Sequence, residues 1–132
     1  MNNPEATETP PRIKPRVKSA PKVRQVYWCE FPQDAQLPEM WKVRPVLIIG
    51  KKATLYGRIT ALPLSSKSQP DNPYAYRIVS PIDGKDTWVI CDYLISLAVS
   101  RLSPPDRVIP RVDEDDFNKI IELAYSLLPT PR

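Results

Sequence analysis

Proline occurs seventeen times in these 132 residues and enters almost every stretch of the chain. Each proline fixes φ and removes a backbone donor, so short elements, many turns and at least one unfolded segment are expected. The length suits one domain, and a 42% hydrophobic content is enough for a packed core.

The prolines divide the chain into two unlike parts. Residues 1–24 carry Pro4, Pro10, Pro11, Pro15 and Pro21 among polar and basic side chains, with almost no large apolar residue. Such a stretch buries too little surface to offset its ordering entropy, and it is expected to be a disordered or polyproline-like leader. Its six Lys/Arg outnumber Glu5 and Glu8 by four, which is the whole net charge of +4, because thirteen cations balance thirteen anions over residues 25–132. Any nucleic-acid site on the folded part must therefore be a local patch. The leader itself reads as a solubilising tail or as an electrostatic tether for RNA.

From Gln25 onward, short β-forming runs alternate with turn signals. Residues 25–31 (QVYWCEF), 44–50 (RPVLIIG), 57–64 (GRITALPL), 74–79 (YAYRIV) and 87–91 (TWVIC) read as five strands, with Asp83–Gly84 marking a tight turn. Residues 113–128 place Phe117, Ile120, Ile121, Ala124 and Leu128 near helical spacing. Asp113 suits the N-cap, Glu114, Asp115 and Asp116 suit the positive end of the dipole, and Pro129 is expected to stop the helix. The expected fold is mainly β with a C-terminal helix, a small and strongly twisted antiparallel barrel over residues 25–132.

The chain contains no histidine, which removes Ser-His-Asp and Cys-His mechanisms and histidine metal sites. Cys29 and Cys91 lie in apolar runs without CxxC spacing and read as buried thiols of a reducing compartment. No cofactor or metal is expected. No run approaches the length of a membrane span and no secretory h-region is visible, so a cytoplasmic protein without membrane contact is expected.

Four stretches then stand in order: Val26-Tyr27-Trp28, Arg44-Pro45-Val46-Leu47-Ile48, Pro63-Leu64-Ser65-Ser66-Lys67, and Cys91-Asp92 followed by Arg101-Leu102. As an ordered set they resemble the MazF/PemK family of type II toxin–antitoxin endoribonucleases. The resemblance implies an SH3-like barrel of the CcdB/PemK kind that pairs into a homodimer and cuts single-stranded RNA without a metal. The implied products carry 2′,3′-cyclic phosphate and 5′-hydroxyl ends. It also implies a cognate antitoxin and, for the toxin–antitoxin complex, operator DNA. By the same resemblance the catalytic positions fall on Arg44, Ser65 and Asp92. Two arginine positions of some members are Ile90 and Ile95 here, and a histidine of some members is absent.

The chemistry suits these residue types. A guanidinium at Arg44 matches phosphate oxygens and can stabilise charge developing on them. The Ser65 hydroxyl can donate a further bond, with Ser66, Lys67, Arg101 and a base-stacking Trp41 completing an RNA surface. Asp92 is open to two roles, proton acceptor or orienter of Arg44. Each residue also has an ordinary reading: a strand-edge arginine, a serine capping a turn, an aspartate pairing Arg101, and Met40 beside Trp41 as an antitoxin contact. A non-catalytic RNA- or DNA-binding barrel, catalytically degenerate, is the alternative function, and a peptide-binding adaptor ranks behind it.

Overall fold

The computed structural model describes residues 8–131. Seven strands form one antiparallel sheet: β1 (Val26–Glu30), β2 (Val43–Ile48), β3 (Arg58–Ser65), β4 (Ala75–Val79), β5 (Asp86–Ile90), β6 (Ile95–Ala98) and β7 (Leu102–Ser103), followed by the helix α1 (Glu114–Tyr125). The strand order is β4-β5-β3-β2-β1-β7, with β6 also paired to β3. β3 is the longest strand, and it carries β6 along residues 58–61 and β5 along residues 64–65. A 3-10 turn, Val99–Arg101, joins β6 directly to β7 on β1, which curls the sheet toward a barrel. Five of these strands lie within a residue or two of those read from the sequence. β6 and β7 are additions: Leu94, Ile95, Leu97 and Val99 make their segment largely apolar, but Ser96 interrupts it and no turn cluster separates it from β5.

The sheet is apolar on both faces, which is why β2 and β3 read as continuous hydrophobic runs. Tyr27, Cys29, Val46, Ile48, Ile59, Ala61, Val99 and Leu102 fill the barrel interior. Val26, Leu47, Leu62, Leu64, Ile78 and Val89 face the other way and pack with Ile120 and Ala124 of α1. Both cysteines are fully buried, unpaired thiols, and burial pushes each up to about 12. Neither is a nucleophile near neutral pH.

Asp113 caps α1 as expected, its carboxylate accepting from the Asp116 amide at 2.8 Å. The helix stops at Tyr125, earlier than Pro129 suggests. Ser126 closes it instead, donating its hydroxyl to the Leu123 carbonyl at 2.6 Å. Leu128 consequently lies beyond the packed face and is exposed. Tyr76 ties β4 to the first turn, donating to Asp116 at 2.9 Å.

The leader differs most from expectation. Residues 1–7 lie outside the described residues, but residues 8–24 run across the barrel as a strap. Val17 is only 6% exposed and joins the barrel core, and Pro21 is buried. Arg12 donates to the Tyr56 carbonyl, and the Arg24 amide donates to the Ile48 carbonyl at 3.0 Å while its Nε donates to the Val112 carbonyl at 3.0 Å. Composition averages these anchors away, because they are a few residues among many solvated ones. Among the described residues no helix is long and apolar enough to cross a membrane.

Candidate active site and RNA-facing groove

Arg44 and Ser65 meet through the register of neighbouring strands. Val46 pairs with Pro63 at the last rung of the β2–β3 ladder, so continuing that register sets Arg44 opposite Ser65 on strands ~4.8 Å apart. The ladder stops there for a physical reason. Ile48 donates its amide to Gln25, so the alternate backbone positions 47 and 45 turn toward β3, and Pro45 has no N–H to offer there. Both side chains belong to the barrel-interior face, at its mouth: Arg44 extends the row of Val46 and Ile48, Ser65 that of Ile59 and Ala61.

The two side chains are held differently. Arg44 is half-buried and donates Nε to the Trp41 carbonyl at 2.9 Å, and among the described residues its Nη atoms make no hydrogen bond. That geometry fixes the guanidinium plane and leaves its paired donors for a phosphate-like acceptor. Ser65 is 5% exposed. Its Oγ accepts the Lys67 amide at 3.3 Å, the turn-capping role, and its carbonyl accepts from Thr87 Oγ1 at 3.1 Å. The serine hydroxyl hydrogen remains available to donate. Ser66 and Lys67 follow on the exposed turn.

Asp92 stands apart. The β3–β5 register ends at Ser65 with Trp88, and Asp92 lies four residues beyond Trp88, in the turn after β5. Its Oδ1 accepts from Asn72 Nδ2 at 3.3 Å. Among the described residues, neither Arg44 nor Arg101 pairs with it; the ion pairs there are Arg16–Glu30 and Arg77–Asp86. Ile90 is buried at the end of β5 and Ile95 packs on the barrel core, so these two positions contribute packing.

Trp41 and Arg101, far apart in sequence, line one groove of about 820 Å³ between the end of β1 and the start of β2. Trp41 is 48% exposed and Lys42 sets its ammonium 4.3 Å from the ring centroid, within cation–π range. Lys42 adopts a left-handed φ of 72°, an uncommon and mildly strained state for lysine. Arg101 donates to the Glu30 carbonyl at 3.4 Å. Met40, by contrast, is half-buried against the core, with its amide donating to Tyr93 Oη at 2.6 Å. Sequence reasoning missed Glu30 and Arg16 altogether, since a lone strand-end glutamate and one leader arginine carry no signal. Among the described residues no group of three or more His, Cys, Asp or Glu is arranged to hold a metal ion.

A seven-stranded, twisted antiparallel sheet closed by one C-terminal helix defines a small barrel class. The model for the PemK-like, MazF-like toxin of type II toxin–antitoxin systems matches residues 22–127. The chain belongs to that family. Among solved structures it is similar to MazF from Deinococcus radiodurans, with a TM-score of 0.64 and 20% identity, covering 82% of this chain and 96% of that one. It is also similar to a mycobacterial endoribonuclease in complex with its cognate antitoxin, with a TM-score of 0.59 and 21% identity, covering 85% of this chain and 100% of the other. No curated protein matches the chain at the sequence level.

Proposed function

We propose that this toxin-family chain is a sequence-selective endoribonuclease that cuts single-stranded RNA without a metal ion. The 2′-oxygen attacks the adjoining phosphorus, the P–O5′ bond breaks, and the products carry 2′,3′-cyclic phosphate and 5′-hydroxyl ends. One proton leaves the 2′-hydroxyl and one is delivered to the departing oxygen. The observation that carries this reading is the Arg44–Ser65 pair. Arg44 has Nε committed to Trp41 and its forked donors available, beside a hydroxyl that can donate to the same phosphate. Preorganised donors of that kind stabilise developing charge. Asp92 acts through Asn72 on the loop after β3, a positioning role that suits its hydrogen bond to that loop. Trp41, Ser66, Lys67 and Arg101 hold the flanking RNA.

The partners follow from the family. In this reading the chain works in the cytoplasm as a homodimer neutralised by a cognate antitoxin, and the complex of the two binds operator DNA; the mycobacterial endoribonuclease is seen in complex with its own cognate antitoxin. The test is incubation of purified protein with a long single-stranded RNA in excess EDTA, followed by end-group analysis. Discrete fragments with cyclic phosphate ends, absent with Arg44→Ala, are the expected result. The second reading, a non-catalytic RNA-binding barrel, gains from the separation of Asp92 from Ser65, and RNA that is bound but never cut would establish it.

A further inference from the structure

The groove beside Trp41 contains a group that the proposed reaction does not use. Glu30 closes β1 at the groove wall, and a bare carboxylate on a surface for RNA would repel phosphate. Here it is compensated from both sides. Arg16 of the strap donates Nη1 to Glu30 Oε1 at 2.9 Å and Nη2 to the Ser100 carbonyl at 3.0 Å, so one guanidinium locks the carboxylate to the barrel. Arg101 binds the carbonyl of the same residue. The hydrogen bond from Arg16, then its charge, hold the Glu30 carboxyl below the ordinary glutamate range. Its Oε2 makes no hydrogen bond among the described residues and remains an acceptor.

The groove therefore presents an oriented acceptor and a flat aromatic side by side. Glu30 pairs with Val43, and the Phe31 amide bonds the Lys42 carbonyl, so Trp41 follows one step further along the same edge. Lys42 sits against one face of the indole, and Trp41 is still 48% exposed, which gives a base ring surface to stack on. Bases of single-stranded RNA are read by stacking on such rings and by hydrogen bonds to their edges. A carboxylate accepts readily from an exocyclic amino group, whereas uracil has none and its single N3–H donor is flanked by two carbonyl oxygens that repel the carboxylate.

We propose that Glu30 is a specificity-determining residue of the RNA site, positioned by Arg16 of the N-terminal strap, and that it selects an amino-bearing base (cytosine, adenine or guanine) over uracil at one position of the substrate. This inference rests on the ribonuclease reading for its substrate, and the test separates the two. Full-length protein is given a randomised single-stranded RNA pool and its cut ends are sequenced; in parallel, its affinities for short oligo(C) and oligo(U) are measured. Wild type should exclude uracil at one position near the cut, and Glu30→Gln should relax that exclusion about ten-fold at that position alone. Arg16→Ala should relax the same position more weakly, in KM and not in kcat, and Arg16→Lys should restore part of it by keeping the ion pair. An unchanged base preference in Glu30→Gln overturns the proposal. An Arg16→Ala protein that loses kcat on every sequence alike would reduce the strap to a structural brace and overturn the positioning role. If wild type cuts no RNA, the ribonuclease reading fails and the affinities decide. Tighter binding of oligo(C) than oligo(U), equalised by Glu30→Gln, sustains base selection, and equal wild-type affinities end it.

Discussion

The strap over residues 8–24 and the loop over residues 31–42 look alike in sequence: both are polar, proline-interrupted and free of strands. They behave differently because of where their anchors reach. The strap is tied to residues distant in the chain, through Arg12 to Tyr56, Arg16 to Glu30 and Ser100, and Arg24 to Ile48 and Val112. The loop is held at its ends by Phe31 and Met40, and between them its turn closes on itself, Gln36 to Glu39. Leu37 at its tip is 84% exposed. A segment with long-range anchors supports the barrel, and one with local anchors presents side chains. The loop ends by delivering Trp41, Lys42 and Arg44 to the groove and the barrel mouth.

If that division holds, damage to the loop's end should cost activity, and damage to the strap should cost stability. The sharpest case is Arg44→Ala. Loss of a preorganised donor to a charged transition state typically costs about 10²–10³ in rate, so cleavage should fall by at least that factor while the melting temperature stays within a degree or two of wild type. Cutting at the wild-type rate would remove Arg44 from the mechanism. The counterpart is Val17→Ala. Val17 belongs to the buried cluster that includes Tyr27, Val46 and Leu102, and trimming a buried aliphatic side chain of this size should cost about 1–2 kcal/mol in urea unfolding. Under identical conditions Trp41→Ala should leave unfolding unaltered. A Val17→Ala protein of wild-type stability would mean that the strap rests on the barrel without supporting it.

Much of the barrel was legible in the sequence because β1 to β5 are apolar runs bounded by turn residues, and the cap of α1 is written as Asp113 before three acids. β6 was not legible. Ile95–Ala98 is apolar apart from Ser96 but has no turn residues to bound it, and it pairs because β3 offers the edge beside Arg58–Ala61, a tertiary fact. The site was half legible. Arg44 and Ser65 stand out only as part of an ordered set of motifs, and nothing local says that Pro45 ends the ladder beside them. Asp92 joins them through the resemblance alone, and its carboxylate bonds Asn72, a contact between two turns that no spacing announces. The convergence of Trp41, Arg101 and Glu30 depends on the turn that returns β7 to β1, and residue spacing cannot express it. The strap was lost to averaging: Val17 and Arg16 are two residues among many that composition treats as solvated.

A smaller effect sharpens the loop's half of the comparison. Trp41→Ala should weaken binding of single-stranded RNA by roughly ten-fold, in line with ~1–3 kcal/mol per stacked base, read by fluorescence anisotropy at fixed salt. Replacement by phenylalanine should recover much of the loss, since the stacking face survives. Equal affinities for wild type and Trp41→Ala would move the RNA off this groove and remove the second wall of the base-selecting site.

The smallest effect tests the strap's ion pair through pH. Arg16 holds the Glu30 carboxyl below its ordinary value, chiefly by its hydrogen bond and then by its charge. A folded-state pKa that is depressed contributes stability in full above the unfolded value, near ~4.3 for glutamate. That contribution is lost as pH falls through the lower folded value. Hydrogen-exchange protection of the Lys22 and Arg24 amides, both hydrogen-bonded in the strap, should therefore hold on acidification down to the ordinary glutamate range and decay below it. The Glu30→Gln protein, with no charge to lose, should show weaker protection at neutral pH and no acid step of its own. Because the carboxylate is exposed, salt should shrink the difference between the two proteins. Strap protection that falls between pH 7 and pH 5 in wild type would lie in the wrong window for this pair. In that case Val17 and Arg24, not Arg16, would be what holds the strap on the barrel.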